Sequence, residues 1–337
     1  MKAGLYQGAK QLEVAEVPLP SIKNREALVK VSYAGICGTD MMIYSGLHPR
    51  AAAPLIMGHE FSGSITQIGP DEKLKVGDRV AINPLIHCGK CVTCRSGQQH
   101  ICDNLKYLGI DTNGGFASLV SVPIENLYPL PESTSDEDAA LLEPLAVAIH
   151  TVRRSKLKVG DTVVILGAGP IGLLIGIIAQ KAGAAKVIIS DVSEYRLNLA
   201  EKYGFHAVNA LKNDIVEVAK ESTFGVGADV VFEVAGNQMT ANQMIDAIRS
   251  QGEIVVVSVY KKPPEINLAK MHFREISMNT TRCFTTEDFQ KAITMMGAGE
   301  VDVSALISHK LSLDEFEKGF QLMEDLTSDS MKILFYS

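Results

Sequence analysis

The stretch HCGKCVTCRSGQQHIC places Cys88, Cys91, Cys94 and Cys102 at the spacing C-x2-C-x2-C-x7-C inside a single loop. Four thiols gathered so closely repel one another as they ionise, unless a cation neutralises them. Zinc suits such a set because it is tetrahedral, redox-silent and takes thiolate sulfur readily. A site closed by four sulfurs has no open position, so it braces a lobe and performs no chemistry. Four unrelated free thiols are the plainer reading, but four cysteines clustered at metal-ligand spacing argue against it. An iron–sulfur cluster is the stronger rival. Bacterial ferredoxin runs open the same way but continue with x3-C-P and come in pairs, and this chain does neither.

With the quartet assigned, only Cys37 and Cys283 remain, too few for a disulfide framework, and a reducing cytoplasm is the expected compartment. A length of 337 residues allows two domains with a substantial core. A net charge of −7 and the absence of any basic run argue against a nucleic-acid partner. The opening MKAGLYQGAKQLEV lacks the apolar stretch of a secretory signal. Residues 163–179 carry no charge and approach the length of a membrane span. They contain Gly167, Gly169, Pro170 and Gly172, however, and read as a strand, a tight turn and the start of a helix. No membrane partner is expected.

Residues 1 to about 150 alternate short apolar runs with Gly, Pro and Asn (ALVKVSYAGI, FSGSITQIG, DRVAINPLI, ASLVSV), the pattern of a β-rich barrel or sandwich. From Asp161 the text changes to TVVILG, AKVIISD, ADVVFEVAG and GEIVVVSV, separated by helical stretches such as SEYRLNLAEKYG. Buried strands alternating with helices indicate a parallel, doubly wound α/β sheet. Beyond about Thr285 the pattern is mixed again, and MKILFYS reads as a last strand. LKVGDRV (74–80) and LKVGDTV (157–163) are two Gly-Asp turns feeding strands, without the flanking similarity of a true repeat.

Gly167-Ala-Gly169-Pro170-Ile171-Gly172 is a G-x-G-x-x-G placed between a strand and a helix, the context that gives the motif meaning. The first glycine permits the turn, the second lets the backbone approach a pyrophosphate, and the third allows close helix–strand packing. The helix N-terminus offers free N–H groups to the phosphates, and Pro170 near the first turn costs little there. Asp191 ends the next strand, nineteen residues after Gly172. A carboxylate there accepts from the adenosine ribose hydroxyls and repels a 2′-phosphate, favouring NAD over NADP. Arg196 pulls the other way, since a guanidinium can hold a 2′-phosphate. The plainer reading of Asp191 is a cap for the following helix.

Cys37 in AGICGTD and His59-Glu60 in MGHEFSG are unremarkable singly. Together with the cysteine loop, VGDRV, GGFAS (114–118), LEPLAVAIHTVRR (142–154) and GAGPIG, they make the whole chain resemble the zinc-containing medium-chain dehydrogenase/reductase family. Glu143 in LEPLAV resembles the polyol, sugar-acid and threonine dehydrogenase branch, where simple alcohol dehydrogenases carry a cysteine. The resemblance implies a GroES-like catalytic domain with both zinc sites over residues 1–150 and a Rossmann NAD-binding domain over 151–284. Residues 285–337 return to complete the first, and the substrate lies in the cleft between the two.

It further implies a catalytic zinc held by Cys37 and His59, with Glu60 and Glu143 as oxygen donors whose order is left open. Asp40 would accept the second ring N–H of His59; a plain turn residue is the alternative. Thr39 is the expected first acceptor of the alcohol proton. Relatives often carry a histidine three residues later to pass the proton on, but here Met42 stands there, leaving Glu143, His48 or bulk water. His87, His150, Arg153, Arg154, Cys283 and His309 read as scaffold, and Arg282 as either a cofactor contact or a strand cap.

The implied activity is NAD-dependent oxidation of a secondary alcohol of a polyol or sugar acid to a ketone, by a homodimer or homotetramer. L-threonine and 2,3-butanediol are alternative substrates. From another class, an NAD(H)-binding sensor or structural protein without turnover would have little need for two complete metal sets.

Overall fold

The computed structural model describes residues 1–71, 73–325 and 327–337. The chain divides into two compact units, Met1–Pro144 with Thr285–Ser337, and Leu145–Phe284. The outward passage falls inside helix Leu142–Arg154, so no break in secondary structure marks it. The return is marked: Thr285 caps helix Thr286–Gly297, with Asp288 accepting the Thr285 N–H at 2.9 Å and Thr285 Oγ1 accepting the Asp288 N–H at 3.3 Å.

The first unit is built on a mostly antiparallel sheet. Its strands lie in the order Leu127–Pro129, Arg79–Ile82, Glu60–Ile68, Glu26–Gly35, Lys332–Tyr336, Ile307–Ser312, and Leu119–Pro123 also pairs with Glu26–Gly35. In EALVKVSYAG the buried positions Ala27, Val29 and Val31 alternate, as expected where one face of a sheet is covered. Phe116, Phe316, Phe320 and Phe335 meet edge-on or tilted with ring centroids 5.1–6.2 Å apart. Three of those rings belong to the returning segment. The run DRVAINPLI is not one strand. It breaks at Pro84, which has no N–H to give a ladder, into Arg79–Ile82 and Leu85–Ile86, and the latter pairs with Lys106–Tyr107 to close the base of the cysteine loop.

The second unit carries six parallel strands in the order His206–Asn209, Lys186–Asp191, Thr162–Leu166, Ala228–Glu233, Ile248–Val256, Ser277–Thr280. TVVIL and VIIS are buried almost throughout because helices cover both faces of such a sheet. Leu166, Ile188, Val231 and Ile254 meet Met244 and Ile245 in one core cluster. Each such side chain contributes roughly 2 kcal/mol by leaving water. Strand order reverses at Thr162–Leu166, where neighbouring loops leave in opposite directions and open a crevice at the carboxyl ends. The uncharged stretch around residues 163–179 resolves into strand Thr162–Leu166, a turn and helix Pro170–Lys181. Among the described residues, no helix is long and apolar enough to cross a membrane.

Candidate metal centres and dinucleotide site

Register brings the first set of ligands together. Glu60 pairs with Gly35 across the antiparallel ladder, so the end of one strand and the start of the next meet. Cys37, two residues beyond Gly35, and His59, one before Glu60, follow from that pairing. One ligand atom from each of Cys37, His59 and Glu60 lies within 4.8 Å of the others. Gly58 turns the chain into His59 at φ +91°, and a Cβ there would strike the Phe116 ring. Asp40 Oδ2 accepts the Cys37 N–H at 2.8 Å, fixing the start of helix Gly38–Tyr44.

Asp40 Oδ1 faces His59 Nδ1 at 3.6 Å, and both atoms are buried without a hydrogen-bond partner. That distance is too long for a hydrogen bond. It is one short shift from the contact by which a carboxylate orients a metal-bound imidazole, with Nε2 left for the ion. Burial lowers the His59 pKa, but the Asp40 and Cys37 charges outweigh it and carry it well above the usual value. Glu143, in the first turn of helix Leu142–Arg154, is also buried and lies outside the three-residue cluster but within electrostatic reach of it. Burial raises its pKa to about 7, against the pull of His59 and with the push of Glu60. A thiol, an imidazole and two carboxyls under this much burial form an excess of acid that a divalent cation balances, and the donor set fits zinc.

One residue of this centre has no sequence signal. Lys332 donates to Glu60 Oε2 at 2.5 Å and to the Ile36 carbonyl at 3.1 Å, with 3% of its side chain exposed. Burial would lower its pKa, but Glu60 and Cys37 raise it, so it stays a cation. Topology explains its position. Strand Lys332–Tyr336 runs antiparallel to Glu26–Gly35 on the side opposite Glu60–Ile68, with Leu334 facing Gly35. Lys332 and Glu60 therefore reach toward each other over Gly35, where a Cβ would come within 2.7 Å of Glu60 Oε2 and 3.3 Å of Lys332 Cδ.

The four loop cysteines also converge, with ligand atoms within 4.8 Å of one another and Sγ–Sγ distances of 3.5, 3.8 and 4.0 Å for three of the pairs. Zinc at about 2.3 Å from each sulfur of a tetrahedron requires edges of about 3.8 Å. Backbone N–H groups of Cys88 and Asn104 point at Cys102 Sγ, and that of Cys94 at Cys91 Sγ. The Thr93 hydroxyl and the Cys94 and Asp103 amides bring the Cys91 thiol down to about 5, while burial pushes Cys94 up to about 12. Thiolates so solvated by amides suit a structural metal.

In the second unit, Gly167 sits at φ +115°, which excludes other residues, and a Cβ on Gly172 would run into the Gly167 carbonyl. Around Gly169 the space is open, with Arg196 Nη1 4.0 Å from where its Cβ would be. Helix Pro170–Lys181 begins there with Pro at N1/N2 and no side-chain cap, so its first N–H groups face that space. Asp191 does not cap the next helix; Ser193 does. Instead Asp191 Oδ2 accepts the Ala168 N–H at 2.8 Å, and Oδ1 accepts from Val192 and Ser193. The carboxylate thus ties the glycine turn to the second strand, with Arg196 at 3.8 Å. The cradle fits a dinucleotide.

Thr39 and Met42 lie partly exposed on helix Gly38–Tyr44. His48 Nδ1 accepts from the Ala51 and Arg50 amides at 3.2 and 3.4 Å, and burial together with Arg50 lowers its pKa. Its acceptor nitrogen is therefore taken. His309 bonds with Ser308 at 3.0 Å, a scaffold contact.

The description Alcohol dehydrogenase GroES-like domain matches residues 23–132, and Zinc-binding dehydrogenase matches residues 170–298. The chain is 38% identical to a 2-dehydro-3-deoxy-L-galactonate 5-dehydrogenase of Pseudoalteromonas atlantica, over 96% of this chain and 95% of that one. It is 36% identical to an L-threonine 3-dehydrogenase of Bacillus subtilis, over 94% and 93%. The solved 2R,3R-butanediol dehydrogenase of Bacillus subtilis superposes with a TM-score of 0.92 at 32% identity, covering 100% of this chain and 99% of the other. A fold of this kind with two metal centres and a dinucleotide cradle defines a zinc-dependent alcohol dehydrogenase. The chain belongs to the zinc-containing medium-chain dehydrogenase/reductase family, in its polyol and sugar-acid branch. It is an enzyme that uses zinc and a nicotinamide dinucleotide on a small-molecule substrate.

Proposed function

We propose that the enzyme oxidises a secondary alcohol of a polyol or sugar acid to a ketone, with NAD⁺ as hydride acceptor. The observation that carries this reading is the convergence of Cys37 with the buried His59 and Glu60, with Glu143 beside them. When bound, zinc supplies Lewis acidity that makes the alcohol proton easier to lose, and NAD⁺ takes the hydride.

The chain's own residues supply the rest. Cys37, His59 and Glu60 hold the metal, and Asp40 keeps the His59 ring aligned. Glu143 is the second oxygen donor, outside the three-atom cluster and so at reach for exchange or for a water. Lys332 fixes one Glu60 oxygen, and Thr39 accepts the alcohol proton. Met42 cannot pass that proton on, and His48 Nδ1 already serves two amides. The exit therefore falls to Glu143 or to water. Cys88, Cys91, Cys94 and Cys102 hold the structural zinc. Gly167, Gly169, Pro170, Ile171 and Gly172 cradle the pyrophosphate, and Asp191 faces the adenosine ribose. Arg196 pairs with Asp191 and is drawn away from a 2′-phosphate role, which supports NAD over NADP.

We read the enzyme as a cytoplasmic homodimer or homotetramer that joins through the edge strand Ser277–Thr280, and sedimentation would count its subunits. A second substrate reading, L-threonine or 2,3-butanediol, draws on the names of the relatives above.

NADH formation at 340 nm, with hexitols, pentitols, aldonates, threonine and 2,3-butanediol offered in turn, tests the function. Turnover on one polyol or aldonate class, lost with zinc and absent in Cys37→Ser, is the expected result. Turnover only on threonine or butanediol moves the assignment to the second reading, and turnover unaffected by Cys37→Ser overturns the zinc mechanism.

A further inference from the structure

The second unit buries a carboxylate that neither the metal centres nor the glycine turn accounts for. Glu233 ends strand Ala228–Glu233 with 0% of its surface exposed. Its Oε1 accepts the N–H groups of Gly236 at 2.7 Å and Ala235 at 3.1 Å, and the Thr240 hydroxyl at 2.8 Å. Its Oε2 accepts a short hydrogen bond from the Ser258 hydroxyl. The Glu233 carbonyl meanwhile accepts the N–H groups of Val257 at 2.9 Å and Ser258 at 3.2 Å. One residue therefore binds the loop that follows its own strand to the loop that follows the neighbouring strand Ile248–Val256.

Strand ends are ordinarily finished by turn residues or by apolar side chains, because burying a carboxylate costs several kcal/mol before its partners offset it. A carboxyl with this many donors fixes two loops in one arrangement, which an apolar residue of the same volume would leave free. The location is informative. Glu233 lies in register with Leu166, and the Val234 N–H donates to the Leu166 carbonyl at 3.0 Å, immediately before the glycine turn. Gly167 has no side chain where Ala235 stands, since a Cβ would come 3.3 Å from the Ala235 nitrogen. Residues 234–236 thus form the wall of the turn on the side away from Asp191. In a doubly wound sheet the dinucleotide crosses from one half to the other at this reversal. Its adenosine lies over the strands on the Lys186–Asp191 side, and its nicotinamide ribose over those on the Ala228–Glu233 side.

We infer that Glu233 is the positioning residue of the nicotinamide half of the cofactor site: it holds residues 234–236 and 257–258 in the shape that half requires without touching the cofactor. The inference rests on the family's use of a nicotinamide dinucleotide and is independent of the choice between NAD and NADP.

Calorimetric titration of full-length, zinc-loaded protein tests it, with NADH and AMP as one probe pair and NADPH and 2′,5′-ADP as the other. Whichever pair binds the wild type is used. Glu233→Ala is expected to weaken the reduced dinucleotide about tenfold, the loss of one or two buried hydrogen bonds' worth of order, while the adenosine fragment stays within about twofold. Glu233→Gln keeps the acceptor for the Ala235 and Gly236 amides and is expected to recover most of the affinity. Ser258→Ala, a milder change that retains the fold, is expected to give a smaller loss with the same split. A purely structural role would weaken fragment and dinucleotide together. Parallel weakening in all three variants, or unchanged dinucleotide affinity in folded Glu233→Ala or Ser258→Ala, overturns the inference. Preference of the wild type for the NADPH pair would overturn the NAD assignment alone.

Discussion

Lys332 and Glu60 form a buried ion pair beside the candidate catalytic metal site, and their coupling can be measured. Removing one partner of such a pair leaves an uncompensated charge and costs about 3–5 kcal/mol. Lys332→Met is therefore expected to destabilise the zinc-free protein by about that much. In the zinc-loaded protein the loss should be smaller, because the cation takes over neutralisation of the Glu60 carboxylate. Urea midpoints of wild type and variant, each with and without zinc, form the cycle that checks this. An equal loss in both states would mean that Lys332 supports the fold and has no part in the metal centre. Spacing, composition and periodicity could not reveal this lysine. It stands 272 positions from Glu60, in a final run, MKILFYS, that reads simply as a strand. Cys37 and His59, by contrast, were legible because their local motifs recur with family-specific neighbours. Glu233 left a weak trace: an acid that directly follows the apolar run of Val230, Val231 and Phe232 at the end of strand ADVVFE.

At the level of elements, the sequence was clearest where residue spacing encodes geometry and least clear where pairing partners are remote. The glycine turn, the strand–helix alternation around it and the cysteine loop are all local, so their chemistry could be read in place. The edge strand Ser277–Thr280 depends on what lies alongside. So does the role of Asp191, which ties Ala168 and does not cap a helix. The cysteine loop tests the local reading. It is anchored by the two-residue ladder Leu85–Ile86 with Lys106–Tyr107, and its helix Val92–Arg95 is a single turn. Too little apolar surface lies there to hold the loop without metal. Cys94→Ser is expected to lose one zinc per chain, read by atomic emission, and to speed tryptic cleavage at Lys90 or Arg95 about tenfold or more. Unchanged cleavage with one zinc lost would show that the loop folds unaided.

The chain as a whole is discontinuous in a way that sets its folding. The second unit is one uninterrupted stretch, Leu145–Phe284, carrying all six of its parallel strands and its own core. The first unit is completed only after that stretch has been made. Residues 1–144 lack strands Ile307–Ser312 and Lys332–Tyr336, and with them the rings of Phe316, Phe320 and Phe335 that pack on Phe116 and on each other. Burial of each ring contributes roughly 1.5–3 kcal/mol, and a domain holds only about 5–15 kcal/mol in total. Three such rings, together with the Lys332–Glu60 pair, are enough to decide whether the unit folds. A fragment of residues 142–284, which keeps helix Leu142–Arg154 whole, is expected to fold and to bind the cofactor's adenosine fragment. Residues 1–144 are expected to remain largely unfolded and to retain zinc only at the cysteine loop. Adding a peptide of residues 285–337 should restore dispersed amide resonances and the second zinc, because it returns the missing strands and the cation for Glu60. If residues 1–144 fold alone with both metals bound, the returning segment is an accessory, and the aromatic cluster contributes far less than its burial implies.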